Sequence, residues 1–308
     1  MKNTKNREVV YISLGLLGVI CFSLTPIATR AAVEHLSPTF VGLGRGVVAT
    51  IFAAIILLAL KQKWPDRKYY WDIFVVGSCV VILFPMALSI AMQYIPAAHV
   101  GVMLGILPLS TAIVTVVRSG EKVSLLFWLL SFLGAGVVGL FSYYQANADM
   151  GMADLILIFA VVIGAIGYSE GARLGRKIGS WQVICWALVF TFPLIIFPFL
   201  YVLLAGEINA SDDAWYGFFY LALISQLLGF FPWYYALSHG GTVRISQLML
   251  LMPFLTMMFS AYVLQENVGW IEWVCSIIIV LIVGLSFRVP KQRRRVHLSS
   301  NIEVCKES

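Results

Sequence analysis

The chain has 308 residues, of which 60% are hydrophobic and 12% are charged, with a formal net charge of +6 and a mean hydropathy of +0.90. Soluble domains have about 25% charged residues, so this composition excludes a water-soluble globular protein and makes a lipid bilayer the solvent. The basic residues lie in short segments between apolar runs and in the two tails, which argues against a nucleic-acid partner.

Ten apolar runs follow one another along the chain, and each is long enough to cross a bilayer. A membrane-spanning helix needs about 20 mostly apolar residues. The first run follows a basic N-terminus but has no convincing small-residue cleavage site, so we interpret it as an uncleaved span rather than a signal peptide. The predicted spans cover residues 9–29, 40–60, 71–93, 98–118, 124–144, 153–173, 181–204, 215–237, 243–264 and 270–288.

The basic residues alternate between the two sides of these predicted spans. Lys and Arg collect on the cytoplasmic side of a membrane, and the odd-numbered gaps between spans hold only Arg30. The alternation predicts ten spans with both termini in the cytoplasm, in a bacterial inner membrane. Apart from Arg45 inside the second span, the other basic residues lie in the two tails and in or beside the even-numbered gaps: Lys2, Lys5, Arg7, Lys61, Lys63, Arg67, Lys68, Arg118, Lys122, Arg173, Arg176, Lys177, Arg244, Arg288, Lys291, Arg293, Arg294, Arg295 and Lys306.

Residues 108–140 are repeated as residues 253–285, at a constant offset of 145. Each copy has an apolar helix with a proline in its middle, a glutamate just past its end and a second apolar helix. A long-period repeat in an apolar chain predicts a membrane transporter built from two halves. The identical pairs are Pro108 and Pro253, Thr111 and Thr256, Glu121 and Glu266, Val123 and Val268, Trp128 and Trp273, Ser131 and Ser276, Gly139 and Gly284, and Leu140 and Leu285.

A weaker echo at an offset of 143 links the first spans of the two halves, for example Arg30 with Arg173. We divide the chain into residues 1–147, residues 148–290 and a basic cytoplasmic tail, 291–308, that we expect to be disordered. Each half has five spans, an odd number, so the second half must enter the membrane from the opposite side. The predicted fold is an all-α integral membrane protein of ten transmembrane helices arranged as a 5+5 inverted repeat.

Several motifs carry a resemblance to a known family. The chain resembles the drug/metabolite transporter superfamily, and within it the ten-helix permeases with two EamA domains. The matching residues are Ser37-Pro38, the run Gly44 to Ala49, the run Tyr94 to Ala98, and the pairs Pro108 with Glu121 and Pro253 with Glu266. The resemblance implies secondary transport by alternating access, with export of amino acids, related metabolites or drug-like compounds, although some members import.

The first predicted span departs from the family pattern in two ways. It has Phe22 where the family often has a tryptophan, and it has no carboxylate. The small four-helix, proton-coupled members carry a glutamate in this span. Their coupling mechanism therefore does not carry over to this chain.

Two charged residues within predicted spans are candidates for the transport site. Arg45 lies about five residues inside the second span, where a charge costs about 2.5–3.5 kcal/mol on insertion scales. It could anchor a substrate carboxylate or phosphate, pair with a structural partner, or reach the interface. Glu170 lies one helical turn before Arg173, so it could be a proton-coupling group or half of an ion pair near the membrane surface.

Neutral polar residues are further candidates for the substrate path. Gln93, Gln226 and Gln247 lie in the third, eighth and ninth spans, and an amide in hydrocarbon needs a hydrogen-bond partner. That partner could be a substrate or another helix. His99 begins the fourth span on the outer side, where it could line the path, relay protons or simply lie at the interface.

The repeated prolines and glutamates suggest structural roles. Pro108 and Pro253 each remove a backbone hydrogen bond from a span, which would shape the central cavity or produce a fixed kink. Glu121 and Glu266 fall just before the next helix, where a carboxylate stabilises a helix start. The aromatic residues of the eighth span form two interfacial belts, although Trp233 or Tyr220 could line the path. Gly167, Gly171 and Gly175 recur at a spacing that allows close helix packing.

The sequence offers no ATP-binding loop of the GxxxxGK[ST] type, no Ser/His/Asp set and no metal-ligand spacing among its five cysteines. We therefore expect no catalytic activity, no cofactor and no metal. The first hypothesis is a secondary transporter that moves a small metabolite through a cavity formed by spans one to four and six to nine, driven by a proton or substrate gradient. The alternative is a membrane scaffold or sensor that does not transport. The expected partners are a small-molecule substrate and lipid, and the chain could be a monomer or a homodimer.

Overall fold

A computed structural model describes the chain over residues 2–119, 124–145, 151–205, 210–265 and 269–288. Within these ranges all regular structure is helical and no strand occurs. The predicted tail, residues 291–308, lies outside the described residues. So do Glu121 and Glu266, which leaves the role expected of them at helix starts as a prediction.

The described residues group into ten helices, α1 to α10. Eight of the helices in these ranges, α1–α4 and α6–α9, are long and apolar enough to cross a membrane. The apolar stretches of the other two are shorter, Leu125–Val137 in α5 and Trp273–Ile282 in α10. The bounds are α1 Asn6–Val33, α2 Pro38–Ala59, α3 Arg67–Ala91, α4 His99–Arg118, α5 Leu125–Gln145, α6 Met152–Ile178, α7 Ser180–Ala205, α8 Asp212–Gly240, α9 Thr242–Val263 and α10 Trp270–Arg288.

Helix α1 is interrupted two residues before Pro26, where the helical stretch that ends at Ser23 is followed by the stretch Thr25–Val33. Proline has no N–H, so the backbone carbonyls that precede it lack their usual donors. Side chains from other helices supply donors near the break. The hydroxyl of Tyr220 donates to the carbonyl of Cys21 at 2.9 Å, and the hydroxyl of Thr256 donates to the carbonyl of Ser23 at 2.9 Å. The break in α1 is thus stabilised by α8 and α9.

Helices α4 and α9 are both interrupted just before their proline. The sequence had predicted a proline in the middle of a continuous helix. Each contains a 3₁₀ stretch, Leu104–Ile106 or Gln247–Leu251, and a new α-helical stretch then begins. Pro108 and Pro253 are the second residues of those new stretches. The first turn of a helix has no intrahelical use for an N–H, so proline is well tolerated there. The two prolines therefore start helical stretches.

Helices α3 and α8 each contain a π-helical stretch, Ser78–Leu83 and Tyr220–Leu228. In α3 the N–H of Phe84 donates to the carbonyl of Cys79, five residues back. The carbonyl of Val80 would need the N–H of Pro85 in the same pattern, and proline has none. The π-helical stretch therefore leaves the Val80 carbonyl without a donor from its own helix.

The helices pack in pairs that join the first five to the last five. Helix α2 packs on α7, α4 on α9, and α5 on α10. Helix α1 packs on α8 and α9, while α6 packs on α3 and α4. The core therefore lies between the two sets of helices, where most of the fully buried side chains are found.

The predicted glycine series in α6 lies at contacts with α3 and α8. A Cβ atom at Gly167 would overlap the side chain of Val80, and one at Gly171 would overlap the ring of Tyr234. A Cβ at Gly175 would meet the hydroxyl of Ser238. The hydroxyl of Tyr234 also donates to the carbonyl of Gly167 at 3.2 Å. Close approach of α6 and α8 therefore depends on the absence of side chains at these positions.

Candidate functional site

A narrow cavity lies at the centre of the helix bundle. The space open to the centre of a water molecule is about 20 Å³, which is room for roughly one water. Its lining comes from seven helices, α1 to α4, α6, α8 and α9. The prediction was spans one to four and six to nine, so α7 is the predicted helix that does not contribute. The lining residues are Phe22, Thr25, Arg45, Val80, Phe84, Leu88, Leu104, Leu107, Tyr168, Ser225, Phe230 and Met252.

Arg45 is the charged residue in this lining, and its side chain is almost fully enclosed, with 2% of its surface exposed. Its Nη2 donates to the Oγ of Ser225 at 3.0 Å, and that oxygen lies 2.8 Å from the Oγ1 of Thr25. Among the described residues no hydrogen-bond partner reaches Nε or Nη1. Arg45 therefore presents a cation with unused donors at the cavity.

Local sequence explains why α2 can carry Arg45 so deep in the bundle. Helix α2 begins with Ser37, whose hydroxyl accepts the N–H of Phe40 at 3.2 Å and so caps the helix. Gly44 and Gly46 flank the arginine, and a Cβ at either position would crowd side chains of α7. The two glycines let α7 pack against α2, which turns Arg45 toward the cavity.

An aromatic cluster, formed by Phe22, Tyr168, Phe230 and Trp233, lies beside this polar centre. The ring of Phe22 is 5.0 Å from Phe230, 6.3 Å from Tyr168 and 6.1 Å from Trp233. Tyr168 lies 5.6 Å from Trp233, in an edge arrangement. The first three rings line the cavity, whereas Trp233 is fully buried behind them. Aromatic pairs at these distances stabilise one another, so the cluster forms a packed, mainly apolar wall.

Gln226 is fully buried and bridges two helices. Its Nε2 donates to the carbonyl of Val80 at 2.9 Å, the same carbonyl that the π-helical stretch of α3 leaves without a donor. The structure therefore places Gln226 as a link between α8 and α3. It does not line the cavity.

The other predicted polar and proline residues lie away from the cavity surface. Gln93 is exposed just beyond the end of α3, so it contributes nothing to the bundle centre. Gln247 is buried in the 3₁₀ stretch of α9, with both amide atoms unpaired among the described residues, but it is not part of the lining. Pro108 and Pro253 are buried, and the residue before each, Leu107 or Met252, lines the cavity.

His99 forms a hydrogen bond with Asp154 at the end of the bundle where α4 and α6 begin. Its Nε2 lies 2.8 Å from Oδ1 of Asp154, and both side chains are largely buried. The other carboxylate oxygen of Asp154 accepts the N–H of Gly151 at 3.3 Å. Asp154 is buried as well, and it was not among the residues predicted from the sequence. An acid in the first turn of a predicted helix was the available signal.

Glu170 lies at the opposite end of α6, in a cluster of four charged side chains that we name the α6 network. Its carboxylate accepts from Arg118 at 2.5 Å and from Arg173 at 2.7 Å, and Arg173 also pairs with Asp72 at 2.7 Å. Glu170 is 2% exposed, although its partners reach the surface. The hydroxyl of Thr115 donates to Ser169 at 3.0 Å in the same region. The α6 network therefore joins α3, α4 and α6 at this end of the bundle.

Residues 9–143 and residues 151–288 each match the EamA-like transporter family. The chain belongs to this family. A protein of Bacillus subtilis (strain 168), described as the uncharacterized transporter YdeK, is 35% identical over 278 residues, which cover 90% of this chain and 96% of the relative. A probable terminal-alkyne amino-acid exporter of Streptantibioticus cattleyicolor is 22% identical over 244 residues, 77% of this chain and 80% of the relative.

A solved crystal structure also has the same fold, with a TM-score of 0.69 at 14% identity, and the match covers 91% of this chain and 99% of that one. The EamA family assignment and the apolar helices make this chain a multi-pass integral membrane transporter. The resemblance that the sequence motifs indicated is thereby confirmed.

Several cavity residues escaped the sequence analysis, yet the EamA repeat contained a signal for them. Thr25 and Tyr168 both line the cavity and are 143 positions apart, the offset that relates the first spans of the two halves. Leu107 and Met252 are 145 positions apart, as are Val80 and Ser225. A single apolar or hydroxyl residue gives no sign that it lines a cavity. Cavity residues that occupy equivalent positions in the two repeats do identify the central surface.

Proposed function

We propose that this EamA protein is a secondary active transporter that exports a small metabolite, such as an amino acid, a related metabolite or a drug-like compound, by alternating access. The observation that carries the proposal is Arg45, a buried cation with unused donors at a cavity in the middle of the bundle. A charge is retained at membrane depth where function requires it. Arg45 would hold a carboxylate or phosphate of the substrate.

We further propose that all ten helices cross the membrane as two inverted halves of five. The packing pairs support this. If α1, α3 and α4 correspond to α6, α8 and α9, the contact of α1 with α8 corresponds to that of α6 with α3, and the contact of α1 with α9 corresponds to that of α6 with α4. The π-helical stretches of α3 and α8 and the 3₁₀ stretches of α4 and α9 occupy corresponding places. Helices α5 and α10 would brace the outside of the bundle.

Polar contacts between the proposed halves also correspond. His99 and Arg244 are 145 positions apart, and each lies in the first turn of a helical stretch and contacts an acid near the start of a helix in the other half, Asp154 or Glu8. Inverted halves can exchange conformations and so open a central site to one side at a time. The basic loops support a cytoplasmic location for both termini and for the α6 network.

The pairing of Glu170 bears on the energy source. Both of its carboxylate oxygens accept hydrogen bonds from arginines, Arg118 and Arg173. A proton carrier must give up such partners in every cycle, so we assign Glu170 to the α6 network rather than to proton transfer. A proton gradient or the gradient of the substrate itself would drive transport of the solute that Arg45 binds.

Replacement of Arg45 tests the proposed function. A deletion strain and an overexpressing strain, grown on a panel of toxic amino acids, analogues and antimicrobials, would first identify a solute that accumulates in one strain and is tolerated by the other. Arg45→Gln is then expected to lower efflux of that solute at least tenfold, and Arg45→Lys should retain part of it. A lysine keeps the charge but not the planar group of donors.

Arg176→Gln is the matched control. Arg176 is exposed at the end of α6, so this substitution makes the same chemical change at the protein surface. It should transport at the unaltered rate. Full efflux by a folded, inserted Arg45→Gln variant would remove Arg45 from the site. If no panel solute moved and no cysteine placed at Leu107 ever became accessible to water, the scaffold or sensor function would replace transport.

A further inference from the structure

We propose that the central cavity selects an organic monoanion, a single carboxylate on an apolar or aromatic body, over the zwitterionic amino acid with the same body. This inference rests on the proposed transport function and narrows its substrate class. Three features carry it: the charge at the cavity, the donors of Arg45 that remain free, and the apolar character of the surrounding wall.

The charge balance of the cavity favours a ligand with one negative charge. Arg45 is buried, and no acidic side chain is among the described residues that line the cavity. Glu170 is two residues from the cavity residue Tyr168, but Arg118 and Arg173 already occupy its oxygens. A bound monoanion would make the loaded site neutral. A phosphate monoester carries a charge of about −1.5 to −2 at neutral pH, so a single arginine would leave part of that charge uncompensated.

Hydrogen bonding at Arg45 fits a carboxylate in the same way. One nitrogen, Nη2, is engaged by Ser225, while Nε and Nη1 have no partner among the described residues. A carboxylate has two oxygens and accepts several hydrogen bonds, which are short and strong when both partners are charged. The hydroxyl of Thr25, bonded to Ser225, adds a second polar group beside the anion.

An α-ammonium group would find poor surroundings in this cavity. It would lie close to the carboxylate and therefore close to Arg45, with no acid in the described lining to offset it. A buried charge without a partner is strongly unfavourable. The rings of Phe22, Tyr168 and Phe230 could attract a cation by their faces, but they pack against one another within 5.0 to 6.3 Å. The repulsion from Arg45 therefore decides against the zwitterion.

The remaining lining suits an apolar body of moderate size. Three rings of the aromatic cluster, together with Leu107 and Met252, form the apolar wall beside the polar centre. An aromatic ring inserted there would gain both burial and edge or stacked contacts. The present space of about 20 Å³ admits only a water-sized molecule, so binding requires the lining helices to separate.

Three probes with one phenylethyl body separate the effect of charge from that of shape: 3-phenylpropanoate, L-phenylalanine and 2-phenylethylamine. At pH 8 we would measure binding to the full-length protein in detergent by calorimetry, and stabilisation by the shift in thermal unfolding midpoint. We expect 3-phenylpropanoate to bind at least tenfold more tightly than L-phenylalanine, and 2-phenylethylamine not to bind. Arg45→Gln should abolish binding of the carboxylate, whereas Arg176→Gln should leave it unchanged.

Ser225→Ala provides a second variant in case Arg45→Gln fails to fold, and it should weaken 3-phenylpropanoate binding but keep the order of the three probes. Equal or tighter binding of L-phenylalanine, binding of the amine, unchanged binding by Arg45→Gln or no binding of any probe would each overturn the inference. If the predicted binding order held but liposomes moved no solute, the transport proposal would fail while the monoanion site stood. If instead amino acids were exported in an Arg45-dependent way and L-phenylalanine bound more tightly than 3-phenylpropanoate, the transport proposal would stand and the monoanion site would fail.

Discussion

At the scale of single residues, two glutamines that look alike in the sequence have different environments. Gln226 is fully buried and donates to the Val80 carbonyl, whereas Gln93 is exposed beyond the end of α3. The sequence predicts that a glutamine in a membrane span needs a partner. It does not predict which backbone carbonyl lacks a donor, because that depends on the π-helical stretch in α3.

Gln226→Leu should lower the stability of the protein by about 1–3 kcal/mol, because the buried Val80 carbonyl would lose its donor. The thermal unfolding midpoint in detergent measures the effect. Gln93→Leu is the matched control, and a surface substitution of this kind is expected to stay within about 0.5 kcal/mol. Equal midpoints for the two variants would show that the link between α8 and α3 contributes nothing to stability.

At the scale of helices, small residues on α6 determine how closely its neighbours can approach. Its glycines allow contact with α3 and α8, and its charged end joins the α6 network. The apolar runs predicted the positions of the helices, and the glycine spacing predicted a packing face. The π-helical and 3₁₀ stretches were not predictable, because they arise from packing and from carbonyl partners on other helices.

Gly171→Ala is expected to destabilise the protein by about 1–3 kcal/mol, because an added methyl group in a well-packed interior displaces its neighbours. The new Cβ would overlap the ring of Tyr234. Gly136→Ala in α5 is the matched control, since a Cβ there would meet no atom within 4 Å. The control should be neutral or slightly stabilising, as alanine favours helix over glycine. A midpoint for Gly171→Ala as high as that for Gly136→Ala would contradict the close packing of α6 and α8.

At the scale of the whole molecule, polar side-chain contacts join helices at both ends of the bundle. His99 with Asp154 joins α4 and α6 at one end, and the α6 network joins α3, α4 and α6 at the other. The pair of Glu170 with Arg173 was one of the two alternatives that the sequence left open, whereas the contributions of Asp72 and Arg118 were not predicted. Those residues are far away in the chain, and only the packing of three helices brings them together.

Glu170→Gln should loosen the α6 network and let the cavity open more often at that end, because Arg118 and Arg173 would lose the anion between them. We would place a cysteine at Leu107 in a chain whose five native cysteines are replaced, and measure its labelling by a membrane-impermeant thiol reagent in inside-out vesicles. Labelling is expected to rise at least tenfold, which needs a population shift of only about 1.4 kcal/mol.

Glu34→Gln serves as the control, because Glu34 pairs with Arg30 near the end of α1, away from the network. Labelling of Leu107→Cys from the inner side should be unaffected by that change. A Glu170→Gln protein labelled as slowly as the parent would mean that the α6 network does not restrain the opening.

The π-helical stretches of α3 and α8 would allow parts of these two helices to rotate within the bundle. Tightening a π-helical stretch into ordinary α geometry advances the winding by one residue, which rotates the remainder of the helix by about 100°. Val80 and Ser225 lie within the two stretches. Rewinding would therefore carry these walls around the helix axes, and because Pro85 has no N–H, one carbonyl of α3 would still need a donor from another helix, as hydrocarbon surroundings demand.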